Sequence, residues 1–407
     1  MAKEAKEPKN LFLKQNLTQL QDDMQSLSWM AANAQKVLEE IKGQVLEPYP
    51  RKTAPVYTTL QVANLCGKTR LQLKNAEANS NIKLGTLLPG DNTKTYTLEE
   101  AIEAVTIFGE PLNRPPGKKG KVLTIANYKG GVGKTTAAVS IAQGLCLNKA
   151  LKVLFIDLDP QGSGTTLFGI SPQLEIAEDD TVANYFYRDK DRPNLAQAIQ
   201  KTYWHNLDLI AASSHILGSE FIIPSNAMSI KGYKFWDQLN IGLEPLKEIY
   251  DVIVIDSSPS LGYLTQNAVA ASDAILSPCP LDALDFASLS QFWTVFMEIA
   301  GQLGEAMAEK KYDFVGVFVS KAKLEKDEMA TSNIVKGWLK KAFGERMWDI
   351  TLPESTLIKT ASAMLQTIYD VTDKKEMQKQ SYKRYKEPMD MLVDLIAAQF
   401  NADWSKP

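Results

Sequence analysis

Six apolar runs between residues 121 and 321 constrain the fold more than any other feature of this 407-residue sequence. Stretches with a helical pattern separate the runs. Continuous apolar runs that alternate with helices are typical of a parallel sheet whose two faces are both covered. The runs are KVLTIANY, KVLFIDLD, LDLIAAS, YDVIVIDSS, AILSPCP and DFVGVFVSK. We therefore predict an α/β domain with a mostly parallel sheet over residues 121–407.

A glycine-rich loop follows the first of these runs and opens the helical pattern TTAAVSIAQGLCL. A strand, then GGVGKTT, then a helix is the context of a P-loop. Its glycines let backbone N–H groups approach phosphate oxygens, and the helix N-terminus adds partial positive charge. Lys134 can reach the β- and γ-phosphates, and the Thr135 hydroxyl can bind Mg²⁺. The expected nucleotide contacts in the loop are Gly130, Gly131, Val132, Gly133, Lys134, Thr135 and Thr136.

Carboxylates stand at the ends of two further apolar runs. Asp157 and Asp159 end VLFIDLD, and Asp256 ends DVIVID. Ligands of open α/β sheets bind at the carboxyl ends of the strands, where a carboxylate can hold Mg²⁺ or orient an attacking water. Any one of the three could instead be a buried structural carboxylate. Three at strand ends around one P-loop favour a hydrolytic site.

Three motifs occur in a specific order: KGGVGKTT, DLDPQGS and DVIVIDSSPSLG. They resemble the deviant Walker A, the Walker A′ and the Walker B of the ParA/MinD family of ATPases, over roughly residues 121–407. An N-terminal helix, a helix-turn-helix and a linker precede them. That order resembles the large ParA proteins, which partition plasmids and some chromosomes.

The resemblance implies a role for each residue of the site. The lysine at the loop entrance, Lys129, would extend across a dimer interface to the partner's nucleotide, as an arginine finger does. Lys134 would contact phosphates, and Asp159 would position the attacking water. The metal region would be formed by Thr135, Asp157 and Asp256. The segment TLPESTLIKTASA, 351–363, resembles the family's loop near the base, so Pro353 is an expected nucleotide contact.

The first 46 residues are predicted to contain a long helix. Apolar or small residues over 11–43 alternate in spacing between three and four, which is a heptad seam. The seam residues are Leu13, Leu17, Leu20, Met24, Leu27, Ala31, Ala34, Leu38 and Ile41. The helix could lie on its own domain or self-associate along the seam, and the length of the seam favours dimerisation.

Residues 47–110 read as a small basic domain. Seven basic and two acidic residues fall within 51–94, although the whole chain carries a net charge of −3. A helix near Thr58, a turn at Gly67, a second helix, a hairpin with PGDN at its tip and a helix capped by Thr97 predict a winged helix-turn-helix. A basic fold that does not bind DNA is the alternative. The candidate DNA contacts are Lys68, Thr69, Arg70, Gln72 and Lys74. Residues 111–120, rich in Pro, Gly and charge, are a predicted linker.

Composition excludes several classes. The three cysteines, Cys66, Cys146 and Cys279, form no CxxC pair, which argues against a zinc site or an iron–sulfur cluster. No apolar run reaches the length of a membrane span, and the start MAKEAKEPKN is not a signal peptide. The tail EPMDMLVDLIAAQFNADWSKP is amphipathic but carries acids, which disfavours membrane binding of the MinD type. We expect a cytoplasmic location.

The resemblance implies a DNA-partition ATPase that uses ATP or ADP with Mg²⁺. The ATP-bound homodimer would bind nucleoid DNA without sequence preference, and a centromere-binding ParB-type partner would stimulate weak hydrolysis and release. The ADP or apo form would repress its own operon through the helix-turn-helix. Basic residues of the C-terminal third are candidates for the nonspecific contact, although any one of them alone is more typical of a solvated helix face. The alternative function is a nucleotide-regulated transcription factor without a transport role.

Overall fold

The structure is a computed structural model that describes residues 24–47, 50–87, 94–187, 194–302, 307, 309–323, 329–372 and 376–406. The chain divides into two compact units, Met1–Tyr49 and Pro50–Pro407. In the first unit, helix α1 spans Met24–Leu46, and most of its apolar side chains are exposed. The part of the predicted seam that precedes residue 24 lies outside the described residues.

An eight-stranded sheet forms the centre of the second unit. Its order is β11-β10-β9-β4-β8-β5-β7-β6, and all neighbours are parallel except β6 and β7. The strands are β4 Lys121–Ile125, β5 Val153–Leu158, β6 Gln200–Lys201, β7 Leu207–Ile210, β8 Val252–Ser257, β9 Ala274–Cys279, β10 Phe314–Ala322 and β11 Met347–Pro353. The central strands β4, β5, β8 and β9 are almost fully buried, which is why their sequences are continuously apolar.

Helices cover both faces of this sheet. They are α5 Lys134–Lys149, α6 Ser163–Leu167, α7 Ala183–Tyr187, α8 Ser219–Ser229, α9 Gln238–Leu243, α10 Tyr263–Ala271, α11 Ala283–Gln302, α12 Met329–Phe343, α13 Thr356–Ala363 and α14 Glu376–Trp404. Helix α5 is the most enclosed, with twelve buried residues, because α14, the sheet and the helix Leu98–Phe108 all pack on it. Its small and apolar residues lie on several faces of the helix, which suits such a position.

Before the sheet lies a small element of short helices and strands, residues 57–108. It contains β1 Tyr57–Thr58, α2 Thr59–Leu65, α3 Arg70–Ser80, β2 Thr86–Leu87, β3 Lys94–Tyr96 and α4 Leu98–Phe108. The strands form an antiparallel sheet of order β1-β3-β2. Capping boxes start all three helices, Thr58 with Gln61, Thr69 with Gln72 and Thr97 with Glu100. The expected PGDN tip lies outside the described residues.

Residues 111–120, predicted as a linker, are hydrogen-bonded to other parts of the second unit. The Leu112 N–H donates to the Lys149 carbonyl at 3.0 Å. The Arg114 guanidinium bonds the Asp251 carboxylate at 2.9 Å and the Lys247 carbonyl at 2.8 Å. At Gly120 an added Cβ would overlap the Tyr250 carbonyl oxygen, so only glycine fits there.

The predicted α/β class with a mostly parallel sheet is confirmed. All six apolar runs became strands. Strand β11 was not predicted, because its sequence MWDITLP mixes polar and apolar residues at the exposed edge of the sheet. The segment 351–363, expected as a loop, is the end of β11 followed by helix α13. No helix in the described part of the chain is long and apolar enough to cross a membrane.

The close packing of α5 on α14 predicts a cost for Gly144→Ala. An added Cβ would lie 2.5 Å from the Tyr369 hydroxyl and 2.6 Å from Val393 Cγ2. Overpacking of this kind costs about 1–3 kcal/mol, so the urea midpoint should fall. The control is Gly337→Ala in α12, where nothing lies within 4 Å of the added Cβ. That change should raise stability by about 0.5–1 kcal/mol because alanine favours the helix. An unchanged midpoint in Gly144→Ala would contradict the packing.

Candidate nucleotide-binding site

The sheet register brings the predicted carboxylates together. Asp157 of β5 lies directly opposite Asp256 of β8, and Ile125 at the end of β4 pairs with Asp256 on the other side. The chain leaves β4 into the glycine-rich loop, so the loop arches over these two carboxylates. The residues predicted from separate motifs thus form one site at the carboxyl edge of the sheet, as the rule for open α/β sheets requires.

The loop backbone is tied to strands β9 and β10, which lie on one side of β4. The Asn127 side-chain N–H donates to the Pro278 carbonyl at 2.7 Å, and its side-chain oxygen accepts from the Lys129 N–H at 3.1 Å. The Ser320 hydroxyl donates to the Val132 carbonyl at 2.8 Å, and the Lys321 ammonium donates to the Gly131 carbonyl at 2.6 Å. These bonds occupy the carbonyls of Gly131 and Val132 and not their N–H groups, which suits a loop that binds phosphate through N–H groups.

Positive φ angles explain two of the glycines. Gly131 has φ +74° and Gly133 has φ +95°, in the left-handed region that residues with a Cβ avoid. Gly133 is also the N-cap of α5. The turn therefore ends with the helix N-terminus directed at the predicted phosphate position.

The two lysines of the loop have different environments. Lys134 is buried, and its ammonium donates to the Lys129 carbonyl at 3.0 Å. Burial lowers its pKa, and Asp256 and Asp159 oppose that fall. The Lys129 side chain is 40% exposed and pairs with Asp285 at 2.8 Å. The ion pair raises the pKa of Lys129, so the ammonium is charged and stands at the edge of an open groove of about 620 Å³.

Asp157 is fully buried and hydrogen-bonded. Its Oδ2 accepts from the Thr165 N–H at 2.8 Å and from the Thr165 hydroxyl at 2.9 Å, and its Oδ1 accepts from the Asp159 N–H at 3.1 Å. Burial raises its pKa to about 6, although these bonds oppose the rise. Asp159 is partly exposed, and its Oδ1 accepts from the Gln161 N–H at 3.0 Å. Both carboxylates are therefore held in fixed orientations.

Asp256 differs from Asp157 because, within the described residues, it lacks close hydrogen-bond donors. It is fully buried, and neither oxygen has a protein donor at ordinary hydrogen-bond length among the described residues. Burial, followed by the charge of Asp157, raises its pKa well above the usual range, while Thr135 and Lys134 oppose the rise. A buried carboxylate in this state needs a cation or its water ligands. Mg²⁺ typically takes one or two carboxylates plus substrate phosphates and keeps several waters, so Thr135, Asp157 and Asp256 fit it.

Beside the loop lies a cavity of about 340 Å³, large enough for a nucleoside. Its walls come from the loop, from the ends of β10 and β11 and from α13 and α14. Pro353, predicted near the base, lies in this wall together with Gly133, Thr136, Lys321, Glu354 and Tyr385. Pro353 therefore lies beside the loop, and its contact with the nucleotide base stays a prediction.

Away from this site, the predicted DNA contacts gather at one helix start. Arg70 and Lys74 are exposed on α3, and Lys68 stands in the turn before it. Thr69 and Gln72 are also exposed, but they bond each other. The Gln72 side-chain oxygen accepts from the Thr69 N–H at 2.8 Å, and the Thr69 hydroxyl accepts from the Gln72 N–H at 3.2 Å. These two residues cap the helix, which leaves the charged side chains as the freer contacts.

Sequence reasoning missed several residues of the site. Asn127, Ser320, Lys321 and Asp285 hold the loop or its lysine, and Thr165 holds Asp157. Lys321 has φ +47°, a strained conformation for a lysine that often accompanies function. Asn127 lies just after β4, whereas Ser320 and Lys321 lie within β10 and Thr165 and Asp285 lie in helices, so no common sequence signal marks these residues.

Comparisons with known proteins agree with this geometry. A family model described as an AAA domain matches residues 120–309. A protein described as replication protein A from Sinorhizobium fredii is 27% identical over 91% of this chain and 92% of its own length. Protein SopA of Escherichia coli is 33% identical over half of each chain. A virulence plasmid ParA family protein of Chlamydia psittaci is 33% identical over 42% of this chain and 62% of its own.

The chain belongs to the ParA family of ATPases.

Solved structures show the same fold. A partition protein superposes with a TM-score of 0.67 at 21% identity, over 93% of this chain and 99% of that chain. A variant of McdA from Cyanothece in complex with ATP reaches 0.54 at 22% identity, over 69% and 97%. A cobyrinic acid a,c-diamide synthase from Mycobacterium smegmatis with ADP and magnesium reaches 0.51 at 20% identity, over 70% and 96%. The ParA-family chain therefore has a fold that holds ATP, and ADP with magnesium, in its structural neighbours.

The lack of close hydrogen-bond donors in the described part of the chain predicts that Asp256 lowers the stability of the free protein and raises that of the protein with Mg-ATP. Because burial raises the pKa of Asp256, this carboxyl costs stability at neutral pH whether it ionises or takes up a proton. Asp256→Asn removes that cost, so without nucleotide and Mg²⁺ the free energy of unfolding should rise by about 1–3 kcal/mol. The added stability that Mg-ATP gives the wild type should shrink, because the metal loses a carboxylate. Thermal unfolding with and without Mg-ATP measures both effects.

Asp251→Asn is the matched control. The Asp251 carboxylate accepts from Arg114 and from the Lys152 N–H at 2.9 Å, so its loss should destabilise the protein. Destabilisation of Asp256→Asn in metal-free buffer would mean that Asp256 has a protein partner.

Proposed function

We propose that this protein is a DNA-partition ATPase of a plasmid or chromosome. One observation carries the proposal: a second lysine, Lys129, stands exposed at the entrance of a complete P-loop, beside hydrolytic carboxylates and an open groove. A nucleotide held within one subunit does not need this lysine. The names of the relatives, which are replication and ParA-family plasmid proteins, support the same function.

ATP binds in the P-loop with Mg²⁺. The N–H groups of residues 130–136 and the Lys134 ammonium hold the phosphates, and the base enters the cavity at Pro353. Thr135, Asp157 and Asp256 hold Mg²⁺, which neutralises phosphate charge. Asp159 orients the attacking water, since its carboxylate is partly exposed and fixed by the Gln161 N–H.

Lys129 acts in the partner subunit. In the free chain its ammonium is paired with its own Asp285, and that bond must open before the lysine reaches a second nucleotide. Two chains that face each other through the groove would supply one lysine to each ATP. The cation then stabilises charge that develops on the transferred phosphoryl group. Hydrolysis and dimerisation are thus coupled.

The chain is organised for two kinds of DNA binding. We assign residues 1–46 to a dimerisation helix, 47–110 to a winged helix-turn-helix, 111–120 to a linker and 121–407 to the ATPase domain. Helix α3 enters the major groove with Lys68, Arg70 and Lys74 as contacts, while Thr69 and Gln72 cap it. In the ADP or apo form this domain represses the operon of the protein.

In the ATP form, the dimer binds nucleoid DNA without sequence preference. A ParB-type protein on the centromere-like site stimulates the weak hydrolysis and releases the dimer. Nucleotide therefore selects between two DNA-binding states of one chain, which is a population shift.

Binding to random-sequence DNA tests this function. At one fixed salt concentration, we expect strong binding with Mg-ATP, weak binding with ADP and without nucleotide, and loss of the ATP effect in Lys134→Ala. The salt must be fixed because phosphate contacts weaken steeply with ionic strength. Binding that ignores nucleotide would favour a nucleotide-regulated transcription factor without a transport role.

The N-terminal helix gives a second test. In α1 the seam residues Leu27 and Leu38 are 48% and 39% exposed, although both are apolar. We expect Leu27→Asp with Leu38→Asp to lower the apo mass in sedimentation from dimer to monomer, because charges at a and d positions disrupt a coiled coil. Gln25→Asp with Asn33→Asp, off the seam, should leave the mass unchanged. A dimer mass in the seam variant would assign dimerisation to another surface.

A further inference from the structure

Two basic residues ahead of the small N-terminal element dock on the ATPase domain. The Arg51 Nε donates to the Gly169 carbonyl at 2.8 Å, and the same guanidinium pairs with Glu175. The Lys52 ammonium donates to the Leu167 carbonyl at 2.5 Å. The partners are more than 110 positions away in the chain, so these contacts are tertiary. Both carbonyls belong to the end of the short helix α6 or to the turn after it.

Lys52 is held on all sides. Its side chain is 6% exposed, and its ammonium pairs with Asp370 at 2.9 Å. The ammonium also lies 4.6 Å from the centre of the Tyr203 ring. The Tyr203 hydroxyl donates to the same Asp370 carboxylate at 2.6 Å, and the Thr367 N–H donates to it at 2.7 Å. A buried cation with this many fixed partners has one position only.

Helix α6 connects this anchor to the nucleotide site. Its Thr165 donates twice to the Asp157 carboxylate, and two residues later its Leu167 carbonyl accepts from Lys52. The helix follows Asp159 and Gln161 through Gly162, its N-cap. At Gly164 an added Cβ would lie 3.0 Å from the Asp157 carboxylate, so the helix packs closely on β5. A shift of α6 would therefore move both acidic side chains.

We propose that Arg51 and Lys52 are positioning residues for ATP hydrolysis. They fix the far end of α6, and α6 fixes Asp157 through Thr165 and Asp159 through the segment 160–162. The segment that leads into the N-terminal element thereby sets the geometry of the hydrolytic carboxylates. The inference rests on the proposed ATPase function, but it concerns a contact that the P-loop itself does not make.

Lys52→Met tests the proposal, because methionine keeps much of the length of the side chain and removes the ammonium. We expect kcat to fall about tenfold to a hundredfold, since small displacements of catalytic groups have effects of this size. The Kd for a fluorescent ATP analogue should stay within about twofold, because the P-loop holds the phosphates. Lys52→Arg, which keeps the cation, should recover most of the kcat. Lys83→Met, on the exposed surface of the same element, should match the wild type.

A double-mutant cycle separates positioning from general destabilisation. Thr165→Val removes the hydroxyl bond to Asp157 at the other end of α6. If both residues act through α6, the loss of kcat in the double variant should be clearly smaller than the product of the two single losses. Independent, multiplicative losses would overturn the proposal, and so would a kcat in Lys52→Met within about twofold of the wild type. If Lys52→Met does not fold, Arg51→Gln takes its place in the double-mutant cycle with Thr165→Val.

Hydrogen exchange provides a readout that does not require hydrolysis. In the free protein, amides of residues 163–169 should exchange faster in Lys52→Met and in Arg51→Gln than in the wild type or Lys83→Met. Unchanged exchange would overturn the inference alone. A wild type that lacks ATP hydrolysis, while its exchange in 163–169 depends on Lys52, would instead count against the proposed function and leave the anchoring contact established.

Discussion

The arrangement of this protein depends on two carboxylates that face each other across neighbouring parallel strands. Asp157 and Asp256 share one register position of the sheet, and both are fully buried. One of them is satisfied by Thr165, and the other has no donor at ordinary hydrogen-bond length among the residues that the structure describes. Two buried negative charges at one edge are unfavourable without a cation. The loop that follows β4 brings Lys134 over them, and the site remains open to Mg²⁺ and phosphate.

Other residues of the site hold the loop in place over the two buried carboxylates. Asn127, Ser320 and Lys321 attach the loop to the ends of β9 and β10, so its conformation exists before nucleotide binds. Preorganised donors act without a cost of reorganisation when charge develops. Lys129 is the exception, since it is exposed and paired with Asp285. A side chain that can change its partner is what a switch between one-chain and two-chain states requires.

Arg51 and Lys52 form a further attachment, between the end of α6 and the segment that leads into the N-terminal element. Short helix α6 bonds the Asp157 carboxylate of the nucleotide site through Thr165. Its other end and the turn after it accept hydrogen bonds from Lys52 and Arg51, ahead of the small element. Elements with two rigid attachments transmit displacements, whereas loops absorb them. The proposed anchor would therefore connect hydrolysis with the part of the chain that we assign to operator binding.

The sequence by itself determined the sheet, the P-loop and the three acidic strand ends. Continuous apolar runs, a glycine pattern and a carboxylate after a strand are local signals, because neighbouring residues alone define each of them. It also determined the cap that Thr97 forms in the small element. Only the tertiary structure decided which residues support the site. Asp285, Lys321, Thr165 and Lys52 act through partners that lie elsewhere in the chain, and nothing near them in the sequence reports those contacts. Strand β11 was not predicted for the same reason. An edge strand is defined by the neighbour it pairs with, here β10, and not by its own pattern.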